Sequence, residues 1–255
     1  MTRIIGITSG KGGVGKTTTV SNLGIALVNM GKKVIILDAN VTTPNLSLHL
    51  GIPFYPITLH DVIKRKVPIE KAIYNHVSGL KIIPASLAAS EVKDIDMDKF
   101  ESLLWNLLGK ADIIILDAAA GLGREAIAAI EASDEIIIIT NPEIPAVTDA
   151  LKTIKIAEER GTKVLGVVVN RCKAHKHEMS LKDIRRMVEI PILVSIPEDS
   201  NVPKSISKKT PLVSLKPNSQ AAVEFRRLAE EIAYGTKATS TKKRSLLRRL
   251  FFWMR

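Results

Sequence analysis

Apolar residues along the chain follow two alternating patterns. Short runs that are apolar at consecutive positions, such as residues 113–116 and 136–139, are typical of strands buried on both faces. Longer segments between them, such as residues 219–233, repeat their apolar residues at helical spacing. This alternation predicts an α/β fold with a doubly wound, mostly parallel sheet and helices on both of its faces.

The boundaries of the elements follow from these patterns. Strands are predicted at residues 3–8, 33–37, 80–84, 112–116, 135–140, 164–169 and 192–195. Helices are predicted at residues 16–30, 98–108, 123–132, 146–160, 181–189 and 219–233. Together they predict one domain over residues 1–235, followed by a flexible basic linker at residues 236–244 and a short terminal helix at residues 245–255.

Composition and charge narrow the class of protein. The 255 residues are 45% hydrophobic and 25% charged, as in ordinary globular proteins. The chain opens directly on a strand pattern without a signal-peptide layout, so we expect a cytoplasmic protein. Seven of the cations behind the net charge of +11 fall in residues 236–255, which contain no acid. A basic tail favours binding to a surface over a generally basic, nucleic-acid-binding body.

The clearest chemical signal is the glycine-rich stretch at residues 10–17, which matches G-x-x-x-x-G-K-[ST] in full. It lies between a predicted strand and a predicted helix, where glycines let backbone N–H groups curl around a phosphate. The dipole at the start of the helix adds to the attraction. We expect Lys16 to contact the β and γ phosphates, Thr17 to bind Mg²⁺ and Thr18 to assist at the α phosphate.

Residues 11–18 read K-G-G-V-G-K-T-T and resemble the deviant Walker A motif of the MinD/ParA family of ATPases. In that family the first lysine, here Lys11, crosses an ATP-bound homodimer to the partner's phosphates, with the chemical logic of an arginine finger. The resemblance implies a P-loop NTPase that binds ATP or ADP with Mg²⁺. In this loop it implies nine nucleotide-binding residues: Gly10, Lys11, Gly12, Gly13, Val14, Gly15, Lys16, Thr17 and Thr18.

The resemblance extends to two switch segments. Residues 34–40, followed by residues 45–48, are similar to the family's first switch, and there Asp38 would hold Mg²⁺ through a water molecule. The apolar run at residues 113–116 ends in Asp117, as in a Walker B strand, and Asp117 would also hold a Mg²⁺ water. Gly121 would offer its N–H to the γ phosphate. An acid at a strand end can also cap a helix, but the complete phosphate loop favours the metal role.

The first switch departs from the family pattern at one position. MinD and ParA proteins usually have D-x-D, whose second aspartate orients the attacking water, whereas this chain has Asp38-Ala39-Asn40. An amide accepts a hydrogen bond from water but cannot act as a base. We therefore expect ATP hydrolysis that is slow or dependent on a partner. The expected catalytic residues are Lys11, Lys16, Asp38 and Asn40.

A base-binding segment is implied by the same resemblance. Asn170 follows an apolar strand, at the edge where such sheets bind ligands. In the family this asparagine reads the adenine edge, and a segment similar to residues 196–199 packs beside the base. The guanine-specific signature N-K-x-D does not occur in the sequence, which favours ATP over GTP. The implied residues are Asn170, Arg171, Pro197, Glu198 and Asp199.

The terminal segment at residues 245–255 is amphipathic when drawn as a helix. Six apolar side chains share an arc of about 160°, with arginines on the other side. They are Leu246, Leu247, Leu250, Phe251, Trp253 and Met254. Behind a flexible linker, this pattern is typical of a helix that lies in an anionic membrane surface, the alternative being a helix docked on the protein itself or on a partner. MinD proteins have such a helix, so the resemblance narrows to MinD, of an archaeal type.

These features predict a MinD-like ATPase that dimerises with ATP, associates reversibly with the inner face of the cell membrane, and positions division or other polar machinery with an activating or cargo protein. The alternative is a ParA-type partition ATPase that binds DNA. The net charge and the cationic segment at residues 171–186 favour this alternative. An iron–sulfur carrier would need paired cysteines, whereas Cys172 is alone. A metabolic kinase or synthetase has no substrate-pocket signature in this sequence.

Overall fold

The computed structural model describes residues 2–235 except residues 53, 65, 92–94, 99, 174 and 176. Within this part of the chain, eight strands form a single sheet in the order β3-β4-β2-β5-β1-β6-β7-β8. The strands are β1 Arg3–Ser9, β2 Val34–Asp38, β3 Tyr74–Asn75, β4 Lys81–Ile83, β5 Ile113–Ala120, β6 Glu135–Thr140, β7 Lys163–Cys172 and β8 Ile192–Pro197. Neighbouring strands run parallel except for the antiparallel pair β3–β4.

Helices connect the strands and cover both faces of the sheet, which confirms the predicted doubly wound α/β architecture. They are α1 Lys16–Asn29, α2 Leu46–His49, α3 Leu59–Ile63, α4 Phe100–Trp105, α5 Arg124–Glu131, α6 Ile144–Glu159, α7 Leu181–Val188, α8 Asn201–Ser207, α9 Leu212–Leu215 and α10 Gln220–Tyr234. Short 3₁₀ turns occur at Ile69–Ala72 and Ala89–Glu91. No helix within the described ranges is both long enough and apolar enough to cross a membrane.

The core lies on both sides of the sheet because successive strand residues point to opposite faces. On one face, Ile5 and Ile7 pack in a cluster with Phe225 of α10 and apolar residues of α1. On the other face, Ile4 belongs to a second cluster with Phe100 of α4. A third cluster joins β6 and β7 to α6 and α7. Strands that are apolar at every position are therefore explained by burial on both faces.

Several predicted boundaries were wrong. The strand predicted to end at residue 116 continues to Ala120, since Ala120 still pairs with Ser9 of β1. The strand predicted at residues 164–169 reaches Cys172, which pairs with Pro197 of β8. The helix predicted at residues 98–108 is α4, which ends at Trp105. After it, the N–H groups of residues 106–108 bond to the carbonyl three residues earlier, as in 3₁₀ turns.

Some short elements were missed, and two predicted segments cannot be compared. The two-residue strand β3, the one-turn helices α2 and α9, and the short helices α3 and α8 are too short to show a period in the sequence. The predicted linker at residues 236–244 and terminal helix at residues 245–255 lie outside the described residues.

Candidate nucleotide-binding site

The glycine-rich loop joins the end of β1 to the start of α1 through two left-handed backbone positions. Gly13 has φ 78° and Gly15 has φ 104°, values that favour glycine because it has no Cβ. Val14 between them is buried with 1% exposure and anchors the loop to the core. Helix α1 has neither a side-chain cap nor an acid in its first turn, so the first N–H groups have no competing side chain beside them. Such a helix start attracts anions.

Two glycines of the loop lie where a side chain has no room. A Cβ on Gly10 would stand 2.3 Å from the backbone carbonyl oxygen of Asp149 in α6. A Cβ on Gly15 would stand 2.2 Å from the Nδ2 atom of Asn170 at the end of β7. The loop is therefore packed directly against α6 and the end of β7, and its shape depends on glycine at both positions.

Lys16 is the first residue of α1 and is buried with 9% exposure. Its ammonium donates to the Ser9 hydroxyl at 3.0 Å, and that hydroxyl donates to the Lys11 carbonyl at 2.8 Å. Burial lowers the pKa of Lys16, and the nearby Asp117 carboxylate partly offsets this. The Lys16 side chain therefore lies against Ser9, where its loop begins, and near the Asp117 carboxylate.

Two aspartates lie side by side at the carboxyl edge of the sheet. Asp38 of β2 and Asp117 of β5 are register partners, and their exposures are 0% and 1%. Burial, and then the charge of Asp117, raise the pKa of Asp38 well above its usual value. Burial raises the pKa of Asp117 to about 6, against the lowering effects of the Thr17 hydroxyl and the Lys16 charge.

The loop after β2 folds back on Asp38. The Leu46 N–H donates to Asp38 Oδ2 at 3.1 Å, and the Asn40 N–H donates to Asp38 Oδ1 at 3.3 Å. The Asn40 amide donates to the Thr43 carbonyl at 2.7 Å and accepts from the Thr43 N–H at 3.2 Å. The amide of Asn40 is thus engaged within its own loop in this structure.

The second switch segment, taken as residues 117–125, contacts both β1 and the first switch. The Gly121 N–H donates to the Ser9 carbonyl at 2.9 Å, so the group expected to reach a γ phosphate is engaged within the fold here. The Thr42 N–H and hydroxyl in the first switch both donate to the Glu125 carboxylate in α5. The two switch segments are therefore linked directly.

Lys11 occupies the outer side of the phosphate loop. Its side chain is 51% exposed, and its ammonium lies 3.7 Å from a carboxylate oxygen of Glu143, which is 56% exposed. An ion pair between side chains this exposed contributes little to stability. Lys11 is therefore available to a molecule that approaches this face.

The expected base-binding residues surround the ends of β7 and β8. Asn170 is buried with 6% exposure, and its amide donates to the Val14 carbonyl at 2.7 Å, which joins this region to the phosphate loop. Arg171 is exposed and has φ 58°, a left-handed conformation in which a non-glycine residue is strained. The Glu198 N–H donates to the Cys172 carbonyl at 2.9 Å, and Pro197 pairs with Cys172.

Asp199 has a local structural role in this structure. Its carboxylate accepts hydrogen bonds from the Asn201 N–H and side-chain amide, each at 2.8 Å. Burial alone would raise the pKa of Asp199, but hydrogen bonds from Asn201, Ser219 and Ala221 outweigh that effect and lower it. Asp199 therefore stabilises the chain around the starts of α8 and α10, beside the expected base site.

The donor set fits a magnesium ion and a nucleotide. Asp117 Oδ1 and the hydroxyl oxygens of Thr8 and Ser47 are buried without a hydrogen-bond partner within the described structure. Buried polar atoms without partners are uncommon and call for an additional ligand or water. Carboxylate and hydroxyl oxygens are the ligands that Mg²⁺ prefers, commonly with several waters retained. The two buried aspartates and the half-buried Thr17 supply such oxygens at the mouth of the phosphate loop.

The structure brings most of the expected site residues together and adds others. Residues 10–18, Asp38, Asn40, Asp117 and Gly121 lie around the phosphate loop, and the base-side residues adjoin them through Asn170. The sequence did not single out Ser9, which the Lys16 ammonium contacts, or Glu143, which lies beside Lys11. Glu143 follows the end of β6 at the ligand-binding edge, and that position is a signal that could have identified it. The six apolar residues of the terminal segment lie outside the described residues.

Comparisons with known proteins identify the family of this chain. The family model described as "ParA: NUBPL iron-transfer P-loop NTPase" matches residues 1–233. An uncharacterized ATP-binding protein of Methanocaldococcus jannaschii is 38% identical over 240 residues, which cover 94% of this chain and 91% of that protein. The septum site-determining protein MinD of Thermotoga maritima is 34% identical over 241 residues, which cover 91% of this chain and 88% of that one.

A solved structure is similar to this chain in both fold and sequence. The septum site-determining protein MinD of Pyrococcus horikoshii, complexed with Mg-ADP, superposes with a TM-score of 0.89 at 38% identity. The match covers 92% of this chain and 97% of that one. The chain belongs to the ParA/MinD family of P-loop NTPases, and MinD proteins are among its relatives.

Proposed function

We propose that this chain is a MinD-like ATPase that binds ATP with Mg²⁺, dimerises around the nucleotide and associates reversibly with a membrane. P-loop NTPases of the ParA/MinD family are generally ATPases, which supports the chemistry. The observation that carries the proposal is the arrangement of Lys16, Asp38 and Asp117, three buried ionisable groups, beside a complete phosphate loop.

Each part of the nucleotide has residues suited to it. Lys16 and the backbone N–H groups of residues 10–17 bind phosphate, with Thr18 near the α phosphate. Thr17, Asp38 and Asp117 would hold Mg²⁺, and the ion would offset charge on the phosphates. Asn170 and the segment around residues 197–199 receive the base. The MinD of Pyrococcus horikoshii, solved with Mg-ADP, supports the nucleotide and the metal.

Hydrolysis by this chain is slow or depends on a partner protein. Asn40 occupies the position where a second switch aspartate is usual, and its amide is already engaged with Thr43. An amide can orient water but cannot take a proton from it. Phosphoryl transfer depends mostly on positioning, so turnover is reduced rather than abolished.

Dimerisation brings Lys11 of each protomer to the phosphates of the other. The exposed position of Lys11 and its weak ion pair with Glu143 support this, since little has to be broken to release it. A positive charge supplied from the partner stabilises charge on the transferring phosphoryl group. Hydrolysis then returns the protein to monomers.

The membrane is bound by residues 245–255. Each cation near an anionic leaflet contributes about 1 kcal/mol, and partial burial of the six apolar side chains adds to this. Ordering the segment as a helix costs about 1–2 kcal/mol per residue, so a single tail binds marginally. Two tails in one dimer gain avidity of about 10² or more, which makes membrane binding depend on ATP. The dimer then positions division or other polar machinery with an activating or cargo protein.

A second candidate is a ParA-type ATPase that binds DNA nonspecifically. The exposed residues around α7 favour it, since they carry many cations: Arg171, Lys173, Lys182, Arg185 and Arg186. Asp183 in the same helix forms an ion pair with Arg186 at 3.8 Å and reduces the effect. DNA binding by a chain that ends at Gly235, weakening steeply with salt, would support this function.

An iron-carrying function fits this chain poorly. Cys172 is the single cysteine of the sequence, and iron–sulfur clusters are held by several thiolates. Burial, and then the charge of Glu178, raise the pKa of Cys172 to about 11, which disfavours the thiolate. The iron transfer named in the description of the matched family is therefore disfavoured for this protein.

Sedimentation with anionic liposomes tests the proposal. The full chain is compared with one ending at Gly235, each without nucleotide, with Mg-ADP and with Mg-ATP. We expect binding that requires both ATP and residues 236–255. Phe251→Ala weakens binding, whereas Phe252→Ala, which alters the one aromatic outside the apolar arc, is the matched control. Absence of liposome binding in every nucleotide state would remove the membrane function and favour the DNA-binding alternative.

A further inference from the structure

His60 is a fully buried histidine that contacts the loop leading out of β2. It lies in α3, is 0% exposed, and is the second residue of a helix whose start is capped by Thr58 and Asp61. The ring nitrogens have separate partners: Nε2 lies 3.1 Å from the Val41 carbonyl, and Nδ1 lies 3.0 Å from the Ser86 N–H. Both nitrogens of this buried ring are therefore satisfied within the protein.

These partners define the tautomer of the ring. A backbone amide can only donate, so Nδ1 accepts from Ser86 and carries no proton. The proton is therefore on Nε2 and is donated to the carbonyl oxygen of Val41. Neutral His60 fits its surroundings, whereas a protonated ring would place a second N–H against the N–H of Ser86.

Val41 is the residue directly after Asn40 in the first switch. It is buried with 1% exposure and packs in the same apolar cluster as Leu59 and Val62 of α3. Asn40 is fixed on its other side by the hydrogen bond from its N–H to Asp38. The contact between His60 and Val41 therefore defines where the chain goes immediately after Asn40.

Helix α3, which carries His60, is held in place by the segment that follows β4 and not by the first-switch loop. The Leu59 N–H donates to the Pro84 carbonyl at 2.7 Å, and Ser86 lies two residues further on. Both follow β4, which pairs with β2. Helix α3 is thus held to the exit of a strand adjacent to the one that carries Asp38, and His60 spans from there to Val41.

We propose that His60 is a positioning residue that holds the first-switch loop, and with it Asn40, through the carbonyl of Val41. The inference rests on the proposed ATPase function for its catalytic consequence, but the loop geometry can be tested without any nucleotide. Within the described part of the chain, the His60 ring bonds to Val41 and Ser86 and not to the phosphate loop, so its effect on ATP binding is small and its effect on turnover is larger.

Protonation of His60 should break its hydrogen bond with Ser86. Burial lowers the pKa of His60, with a smaller lowering effect from Lys64 and raising effects from the Val41 hydrogen bond, Glu91 and Asp61. Asp61 and Lys64 lie on or next to α3, and Glu91 lies on the turn after β4. In the protonated ring, Nδ1 can no longer accept from the Ser86 N–H, whereas Nε2 still donates to the Val41 carbonyl.

Three substitutions separate the two hydrogen bonds. Gln at position 60 can place an amide donor near the former Nε2 and keep the bond to Val41. Asn is too short to reach Val41 but can still accept from Ser86, and Leu keeps the apolar volume while removing both bonds. His76→Gln is the matched control, since His76 bonds only locally, to Ser78 in the turn between β3 and β4.

Amide hydrogen exchange on the nucleotide-free full chain is the primary readout. The reporters are the N–H groups of Ala39, Asn40 and Leu46, which are hydrogen-bonded in the native loop. We expect His60→Asn and His60→Leu to speed their exchange about tenfold, and His60→Gln and His76→Gln to change it by less than about threefold.

Steady-state ATPase kinetics give the second readout. We expect kcat to fall about tenfold in His60→Asn while KM for ATP changes less than about threefold, with rescue in His60→Gln. Equal exchange rates in His60→Asn and the unaltered chain would overturn the inference, as would equal effects of Gln and Asn. A chain that shows the expected exchange pattern but hydrolyses no ATP supports the positioning of the loop and contradicts the ATPase proposal instead.

Discussion

Asp38 and Asp117 are register partners on the adjacent parallel strands β2 and β5, and both are almost fully buried. Ionising both carboxyl groups costs free energy because they are buried, and the pKa of each is raised. A cation bound between the phosphate loop and these acids would remove that cost. The pair therefore makes the nucleotide-free protein less stable than its packing allows, and it does so at the place where Mg²⁺ is expected.

Replacing Asp117 by Asn should stabilise the nucleotide-free protein at alkaline pH. The folded-state pKa of about 6 lies above the unfolded value of 3.8, so the free energy of unfolding falls as pH rises between these two values, and the full cost is present above about pH 6. We expect the free energy of unfolding of Asp117→Asn to exceed that of the unaltered chain by about 1–3 kcal/mol at pH 8. The difference should shrink towards pH 5, where the aspartate is protonated. Urea denaturation at both pH values measures this.

A surface aspartate provides the control for this measurement. Asp98 is 73% exposed and forms an ion pair with Arg124 at 3.2 Å. Asp98→Asn should change the free energy of unfolding by less than about 1 kcal/mol at either pH, as is usual for exposed pairs. A stability gain in Asp117→Asn that is the same at pH 5 and pH 8 would contradict the role assigned to ionisation.

The affinity for Mg-ATP should increase with pH between about 5 and 7.5. Binding of a cation requires the ionised form of Asp117, whose pKa is raised to about 6 by burial, and of Asp38 beside it. Protons should therefore be released when Mg-ATP binds at pH 6. Calorimetry in two buffers of different ionisation enthalpy counts them, and Asp117→Asn should release fewer. Equal proton release by the two proteins would show that Asp117 does not titrate on binding.

The phosphate loop and its acids could be predicted from the sequence because each is a local pattern at a strand end. Residues 10–17 lie between a strand and a helix, and Asp117 ends an apolar run, so both had to meet at the carboxyl edge of a parallel sheet. Contacts between distant residues could not be predicted in this way. The hydrogen bond from Asn170 to Val14 joins positions 156 residues apart, and neither pattern indicates it.

Short elements account for most of what the sequence did not predict. Helix α3 has five residues, fewer than two full turns, so its apolar spacing gives no reliable period. His60 within it looks like any polar residue, and only the structure places it against Val41 and Ser86. The engagement of Asn40 with Thr43 is equally invisible in a motif comparison, which shows only that an amide replaces an acid.

Asn40→Asp should increase ATP turnover by about tenfold or more, since a carboxylate can accept the proton that an amide cannot. The same change removes the hydrogen bond from the Asn40 amide to the Thr43 carbonyl and adds charge near Asp38. We therefore expect the free energy of unfolding to fall by about 1 kcal/mol. Asn45→Asp is the matched control, because the Asn45 amide donates to the same Thr43 carbonyl at 2.9 Å. Equal turnover of Asn40→Asp and the unaltered chain would contradict the proposal of slow hydrolysis.

Gly10→Ala should disrupt the phosphate loop. The new Cβ would stand 2.3 Å from the Asp149 carbonyl oxygen, a backbone atom that cannot turn aside. We expect a loss of about 2–3 kcal/mol in the free energy of unfolding, together with weaker binding of a fluorescent ATP analogue. Gly123→Ala is the control, because Gly123 has φ −70° and an added Cβ there meets nothing within 4 Å. Similar losses in the two variants would show that steric contact is not the cause.

Lys11→Ala separates the proposed role in the dimer from any role in folding. Lys11 is half-exposed and its ion pair with Glu143 is long at 3.7 Å, so we expect the free energy of unfolding to change by less than about 0.5 kcal/mol. Binding of ADP to the monomer should persist, since Lys16 and the loop N–H groups remain. Dimer formation with ATP, measured by sedimentation velocity, should be lost, because the positive charge that crosses to the partner's phosphates is gone.

The control for Lys11→Ala is a lysine of similar exposure at the opposite edge of the sheet. Lys163 begins β7, is 68% exposed and pairs with Glu135 at 2.7 Å, a shorter contact than that of Lys11. If loss of a surface ion pair were enough to prevent dimerisation, Lys163→Ala should do so at least as well. We expect it to dimerise with ATP like the unaltered chain. ATP-dependent dimers formed by Lys11→Ala would instead assign the intersubunit contact to other residues, even though the phosphate loop still binds the nucleotide.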